Sequence, residues 1–156
     1  MQKTNAKITV ASVAHCHGRF LFIEETIRGE RVVTQPTGRW ESHETLVDTV
    51  VRETYEESGH RFEAEAIGGV YFWQHPRRGV TVMRVNFIGE ARKDNGPVEL
   101  DEGIERVAWL TRQEIVDSRV PHRNPMVLKT IDDYLAGKRY PLSLVDHAQR
   151  DWLSAM

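Results

Sequence analysis

Between Leu46 and Tyr55 the apolar positions (Leu46, Val47, Val50, Val51, Tyr55) recur at helical spacing. Gly59 stands where a left-handed C-terminal cap is wanted. Ahead of this helix, Gln35-Pro36-Thr37-Gly38 reads as a strand end and a Pro/Gly loop. Upstream, Lys7 to Cys16 (with Ile8, Val10 and Val13), Phe20 to Ile23, and Val32-Val33 have strand character. The turns His17-Gly18-Arg19 and Arg28-Gly29-Glu30 separate them. Downstream, Phe62 to Trp73 is strand-like, with Gly68 and Gly69 suggesting a bulge. His75 to Gly79 is a hairpin loop, and Val80 to Ala91 returns as a long strand. Within it Met83, Val85 and Phe87 share one face while Arg84 and Asn86 share the other. Alternation favours solvent over a pocket wall for that second face.

The polar segment Arg92–Gly103 has the length of a functional or mobile loop. Ile104 to Leu110 then reads as a strand, and Thr111-x-x-Glu114 as a capping box opening a short helix. Asn124-Pro125 offers an N-cap and a proline at the first helical position. The set Val127, Leu128, Ile131 and Leu135, ending at Gly137, marks a last helix. Strands on both sides of a central helix, with helices late, indicate α+β: an α/β/α sandwich around a mixed sheet. No repeat or low-complexity linker interrupts the chain, so residues 1–156 are expected to form a single domain.

Composition changes little in that picture and narrows the function. The chain is 40% hydrophobic and 28% charged, with a formal charge of −2, which gives no basic field for a nucleic-acid polymer. No apolar run reaches the length of a membrane span, and the polar start M-Q-K-T-N-A-K does not read as a signal peptide. Cys16 is the single cysteine, which excludes an internal disulfide and suits a cytoplasmic setting. His15-Cys16-His17 lacks a second ligand pair at zinc-finger spacing.

The central helix carries a pattern that stability does not explain. Glu53, Glu56 and Glu57 fall within about a third of its circumference, beside the apolar face. Glu53 repels the other two at i+3 and i+4, and Glu56 and Glu57 lie in the last turn, where the helix dipole favours cations. A solvated acidic face is one reading. The other is a set of oxygen ligands for a hard divalent cation such as Mg²⁺, which takes carboxylates, waters and substrate phosphate oxygens together.

The residues Gly38, Glu44, Arg52, Glu53, Glu56, Glu57 and Gly59 are in register with the signature G-x5-E-x7-R-E-U-x-E-E-x-G-U, where U is a bulky aliphatic residue. On this match the chain resembles the Nudix hydrolases. Thr54 and His60 depart from the pattern at both U positions, which concern packing. The opening I-T-V-A-S-V-A-H, the run F-L-F-I-E-E-T-I-R-G, Q-P-T-G, and the late G-K-R-Y-P-L are similar to the bacterial NudJ-type phosphatases within that family.

The resemblance implies a Nudix sandwich with a catalytic loop–helix–loop. It implies Mg²⁺, with Mn²⁺ as a substitute, held by Glu53, Glu56 and Glu57 near Gly38, with Glu56 or Glu57 as general base. Arg52 cannot ligate a metal and is expected to pair with these carboxylates, Glu56 among them. Glu44 is expected to favour the helix dipole and satisfy backbone donors. Substrate-contact candidates are Gln35, Trp73, Arg84 and Arg28. Further acids are Glu41 on the glycine loop, then Glu99, Asp101, Glu102 and Glu105 from the polar segment and its end.

The implied activity is cleavage of a phosphoanhydride in a nucleoside di- or triphosphate or a small organic pyrophosphate. A pyrimidine pyrophosphate of thiamine synthesis is within that class. The alternatives are a pyrophosphate-releasing nucleoside triphosphate hydrolase and a Nudix-fold nucleotide-binding module without turnover. The expected partner is a small molecule, with no nucleic-acid polymer or membrane, and the chain is expected to be a monomer or a homodimer.

Overall fold

The computed structural model describes residues 1 and 3–148; residues 149–156 of the expected domain lie outside it. Strands β1 (Ala6–Cys16), β2 (Arg19–Ile27), β3 (Glu30–Thr34) and β4 (Thr37–Arg39) precede helix α1 (Leu46–Ser58). Strands β5 (His60–Gln74), β6 (Thr81–Lys93) and β7 (Ile104–Thr111) follow, then α2 (Arg112–Val116), α3 (Met126–Leu135) and a 3₁₀ turn at Leu142–Leu144. The sheet runs β3-β2-β1-β6-β5, with β4 on β1 and β7 on β2. It is mixed, because β1 and β6 are parallel while the other pairings are antiparallel.

Side-chain alternation along the strands builds one core on each face of the sheet. Val10, Ala14, Leu21, Val85 and Phe87 pack with Leu46 and Val50 of α1. Val13, Phe20, Phe22 and Ile88 pack with Ile115 of α2 and with Val127 and Ile131 of α3. The expected α/β/α layering is therefore present. The sequence missed β4, three residues long, which pairs Thr37, Gly38 and Arg39 with Ala11, Val10 and Thr9. Its glycine and preceding proline read as loop, but the β1 edge recruits them.

Expectations about exposure are corrected in three places; in α1, Val51, read on the apolar face, is instead exposed. The Arg84/Asn86 face of β6 is not solvent: Arg84 is 4% and Asn86 1% exposed. Alternation identifies faces but does not say that helices cover both of them, α1 over Val85 and Phe87 and α2 with α3 over Ile88. Leu135, expected on the apolar face of the last helix, is instead exposed, and α3 buries Met126, Val127, Thr130 and Ile131. Asn124 caps that helix from one residue before its N-cap, accepting from Met126 N–H at 3.0 Å.

Helix α1 is closed at both ends. Thr45 and Asp48 form a reciprocal capping box, and Gly59 sits at φ 71°, donating its N–H to Tyr55 O. The segment carrying G-K-R-Y-P-L returns to the sheet: Tyr140 and Ile67 exchange backbone hydrogen bonds at 2.8 and 2.9 Å. Leu142 and Val145 then pack beside α1, and His147 Nε2 accepts from Leu46 N–H at its start.

Candidate active site

The carboxylates of the central helix take two different positions. Oxygens of Glu53, Glu56 and Asp101 lie within 4.8 Å of one another, forming a patch at the C-terminal half of α1. Asp101 arrives from the polar segment before β7, held by its own N–H donating to Glu56 O at 2.9 Å. Glu99, Glu102 and Glu105 do not join this group, and Glu105 accepts instead from Thr26 Oγ1 at 3.0 Å. Composition alone made these acids equivalent; only the backbone contact with Glu56 distinguishes Asp101.

Glu57 sits below the patch, 6% exposed, and accepts from Thr37 N–H at 2.6 Å. Burial pushes its carboxyl well above the ordinary range, opposed by the Thr37 bond; the neighbouring negative charges of Glu25 and Glu53 add to the rise. Glu53 is also raised, mainly by burial, while its contact with Arg52 opposes the rise. Between them lies Gly38. A methyl group on Gly38 would overlap the Glu53 carboxyl group, so a side chain there would displace that carboxylate.

Arg52 organises the outer side. Its Nη1 donates to Glu53 at 2.9 Å and to Glu56 at 3.1 Å, while Nε and Nη2 reach the Glu44 carboxylate at 2.6 and 3.1 Å. Glu44 is held below its usual value, chiefly by that arginine. It also accepts from Thr49 Oγ1, so it anchors Arg52 and Thr49; the expectation that it satisfies backbone donors is corrected. Glu41 lies apart from the patch, grouped with His43 and Glu44, and 3.9 Å from Arg52.

Both departures from the signature have a physical account. Thr54 is fully buried and donates to Ser12 Oγ at 2.9 Å, so the hydroxyl pair replaces an aliphatic contact between α1 and β1. His60 is buried with Nδ1 2.8 Å from Ser58 O and its ring edge-on to Trp109.

Thr37 and Gly38, which lie against Glu57 and Glu53, also line a cleft of about 650 Å³. Arg84 stands at the inner end, with Nε 3.3 Å from Thr9 Oγ1 and Nη1 buried without a hydrogen-bond partner among the described residues. Burial, and then the charge of Arg123, bring its guanidinium down to about 10, with Glu57 opposing the fall. Trp73 and Arg28 line the same cleft. Gln35 does not: its amide nitrogen donates to Val127 O and Thr130 Oγ1, tying β3 to α3. Of the four expected substrate contacts, three converge on the cleft and one belongs to the core.

The donor set suits a hard divalent cation: clustered carboxylate oxygens, one of them from a second element, beside a glycine cradle. A NUDIX domain model matches residues 4–130. Phosphatase NudJ of Escherichia coli is 33% identical over 138 residues, covering 88% of this chain and 89% of that protein. The Shigella flexneri protein of that name gives the same figures. A NUDIX hydrolase structure from Nitrosomonas europaea superposes with a TM-score of 0.88 at 37% identity, covering 92% of this chain and 97% of the other. A MutT NUDIX hydrolase from Burkholderia pseudomallei, 17% identical, shares the fold at a TM-score of 0.69 over 83% of this chain and 98% of its own. The chain belongs to the Nudix hydrolase family, enzymes that hydrolyse phosphorus-containing anhydrides.

Proposed function

We propose that the protein is a Mg²⁺-dependent phosphohydrolase that removes terminal orthophosphate from nucleoside di- and triphosphates or a small organic pyrophosphate. The observation that carries this reading is the junction at Gly38 between the carboxylate patch and a cleft holding a buried arginine whose Nη1 has no hydrogen-bond partner among the described residues. Glu53, Glu56 and Asp101 would hold the cation, with Glu57 and the backbone around Gly38 bordering it; Mn²⁺ fits the same oxygen donors. The cation supplies charge neutralisation on the anhydride and a more acidic water.

The protein's own residues do the rest. Arg84 grips the phosphate that remains with the product, and its burial makes that contact strong. Glu57, one residue from Glu56 and held beside Gly38 by the Thr37 N–H, is the general base that takes the proton of the attacking water. Arg52 fixes the directions of Glu53 and Glu56, and Glu44 fixes Arg52. Trp73 provides a wall for a ring without reading its edges, so broad use of nucleotides with weak purine discrimination is expected.

The whole chain, residues 1–156, acts in this proposal as one Nudix unit, monomeric or homodimeric, working in the cytoplasm on small molecules. No helix among the described residues is long and apolar enough to cross a membrane. The test is to incubate a nucleoside diphosphate and the matching triphosphate with and without Mg²⁺ and resolve the products. Orthophosphate from both, only with the cation, is the expected result. Pyrophosphate as sole inorganic product, with the diphosphate untouched, would replace this reading by the pyrophosphate-releasing one. No turnover of either would favour a binding module.

A further inference from the structure

The cleft holds more positive charge than one phosphoanhydride requires, and that charge is divided between two places. Arg84 stands buried at the inner end, while Arg123, also lining the cleft, is exposed and paired with Glu25. Lys7, Arg28, Arg39, Arg77 and Arg78, all exposed, are the other cations lining it, Arg39 next to Gly38 and the rest around the rim. Arg77 and Arg78 belong to the turn between β5 and β6, just before Val80, which is four residues from Arg84 along the chain. At the rise of an extended strand that separation is about 13 Å.

The rim cations are uncompensated. Arg19, Arg31, Arg52, Arg61, Arg106, Arg112, Arg123 and Arg139 each reach a carboxylate. Among the described residues, Lys7, Arg28, Arg39, Arg77 and Arg78 make no such pair, as is also true of Arg92 and Arg119 away from the cleft, and Glu30 is the one acid lining the cleft with them. A second cavity, of about 400 Å³, shows the contrast: its Lys129 and Lys138 both pair with Asp133. Arg28 also occupies a costly backbone position, φ 51°, in the two-residue turn before Gly29, where Asn or Gly would be easier. Unpaired cations gathered around a concave, partly apolar cleft raise the local concentration of anions.

We infer that the preferred ligand carries a second anionic group remote from its phosphoanhydride, held at the rim by Lys7, Arg28, Arg77 and Arg78: a nucleotide with an additional phosphate on its sugar fits this chemistry. This inference rests on the phosphohydrolase reading for the placement of the first phosphate at the inner end. The net charge of −2 favours a small molecule over a nucleic-acid chain.

Calorimetric titration with AMP and with adenosine 3′,5′-bisphosphate in Mg²⁺ tests it, because neither compound has an anhydride to lose. The bisphosphate is expected to bind at least tenfold more tightly, an advantage that shrinks with added salt. In Arg77→Ala/Arg78→Ala its affinity should fall to within about threefold of that for AMP. Equal affinities in the wild type, or an advantage untouched by the double substitution, would overturn the inference. Hydrolysis of ADP and of its 3′-phosphorylated form is followed in parallel. Turnover of both at equal kcat/KM with equal binding removes the second subsite and leaves the phosphohydrolase reading standing. A bisphosphate advantage without turnover of either removes that reading and leaves the anion site standing.

Discussion

The Thr37 amide donates to the Glu57 carboxylate across 2.6 Å, joining the short strand β4 to the last turn of α1. That one bond fixes three features: it buries an acid, locates the Gly38 cradle one residue further on, and sets the floor where the carboxylate patch meets the cleft. It stabilises the charged form of a group whose burial favours the neutral one, a conflict common where a protein tunes an acid for chemistry.

Gly38 is expected to be intolerant of even a methyl group, for a reason confined to one neighbour. In Gly38→Ala the Glu53 side chain must move, and kcat/KM should fall at least a hundredfold with little change in fold. Combined with Glu53→Ala, the glycine substitution should cost less than threefold beyond Glu53→Ala alone. Full additivity in that cycle would show that Gly38 acts elsewhere.

The acids of the polar segment are predicted to separate sharply. Asp101→Ala should lower turnover at least tenfold and raise the Mg²⁺ concentration needed for half-maximal rate. Glu99→Ala, Glu102→Ala and Glu105→Ala should each remain within about threefold of wild type, since none joins the patch. A metal titration across the four variants decides it, and an unaffected Asp101→Ala confines the essential acids to α1.

Much of this arrangement was legible beforehand. The helix, its glycine cap and the three glutamates followed from spacing alone, because helical periodicity and capping are local properties. Arg52 announced its pairing through the same periodicity. The rest depended on contacts between distant segments. Nothing local marks Asp101 over Glu102, since what separates them is a backbone bond to Glu56. Glu56 and Glu57 are neighbours of one type, yet β4 covers only the second, and β4 itself was hidden by its proline and glycine. The burial of Arg84 required β1 and β5 to flank β6, whereas its strand alternation was equally compatible with solvent. Gln35 lies in the run shared with NudJ-type proteins and reads as a site residue, but α3 takes its amide nitrogen.

His60 makes stability depend on pH in a defined direction. Burial, with a smaller contribution from Lys93, lowers its affinity for protons in the fold, against the Ser58 bond. Below the unfolded value of about 6.5 the unfolded chain binds more protons than the folded one, so this contribution to stability is complete above that pH and is lost as pH falls. His60→Leu, which restores the aliphatic residue of the signature, should retain more of its neutral-pH stability at pH 5.5 than wild type does. Denaturant melts of both proteins at pH 7.5 and 5.5 measure this, and parallel losses would contradict it.

If the acids of α1 are maintained for chemistry at the expense of the fold, Glu57→Gln should separate activity from stability. The amide can still accept from Thr37 N–H while removing a charge that burial opposes and that lies at the wrong end of the helix dipole. Turnover of a nucleoside diphosphate in saturating Mg²⁺ and the melting temperature should be measured on the same preparation. A fall in kcat of at least a hundredfold together with an unchanged or higher Tm at neutral pH is expected. Wild-type turnover, or a loss of activity accompanied by a matching loss of stability, would contradict it.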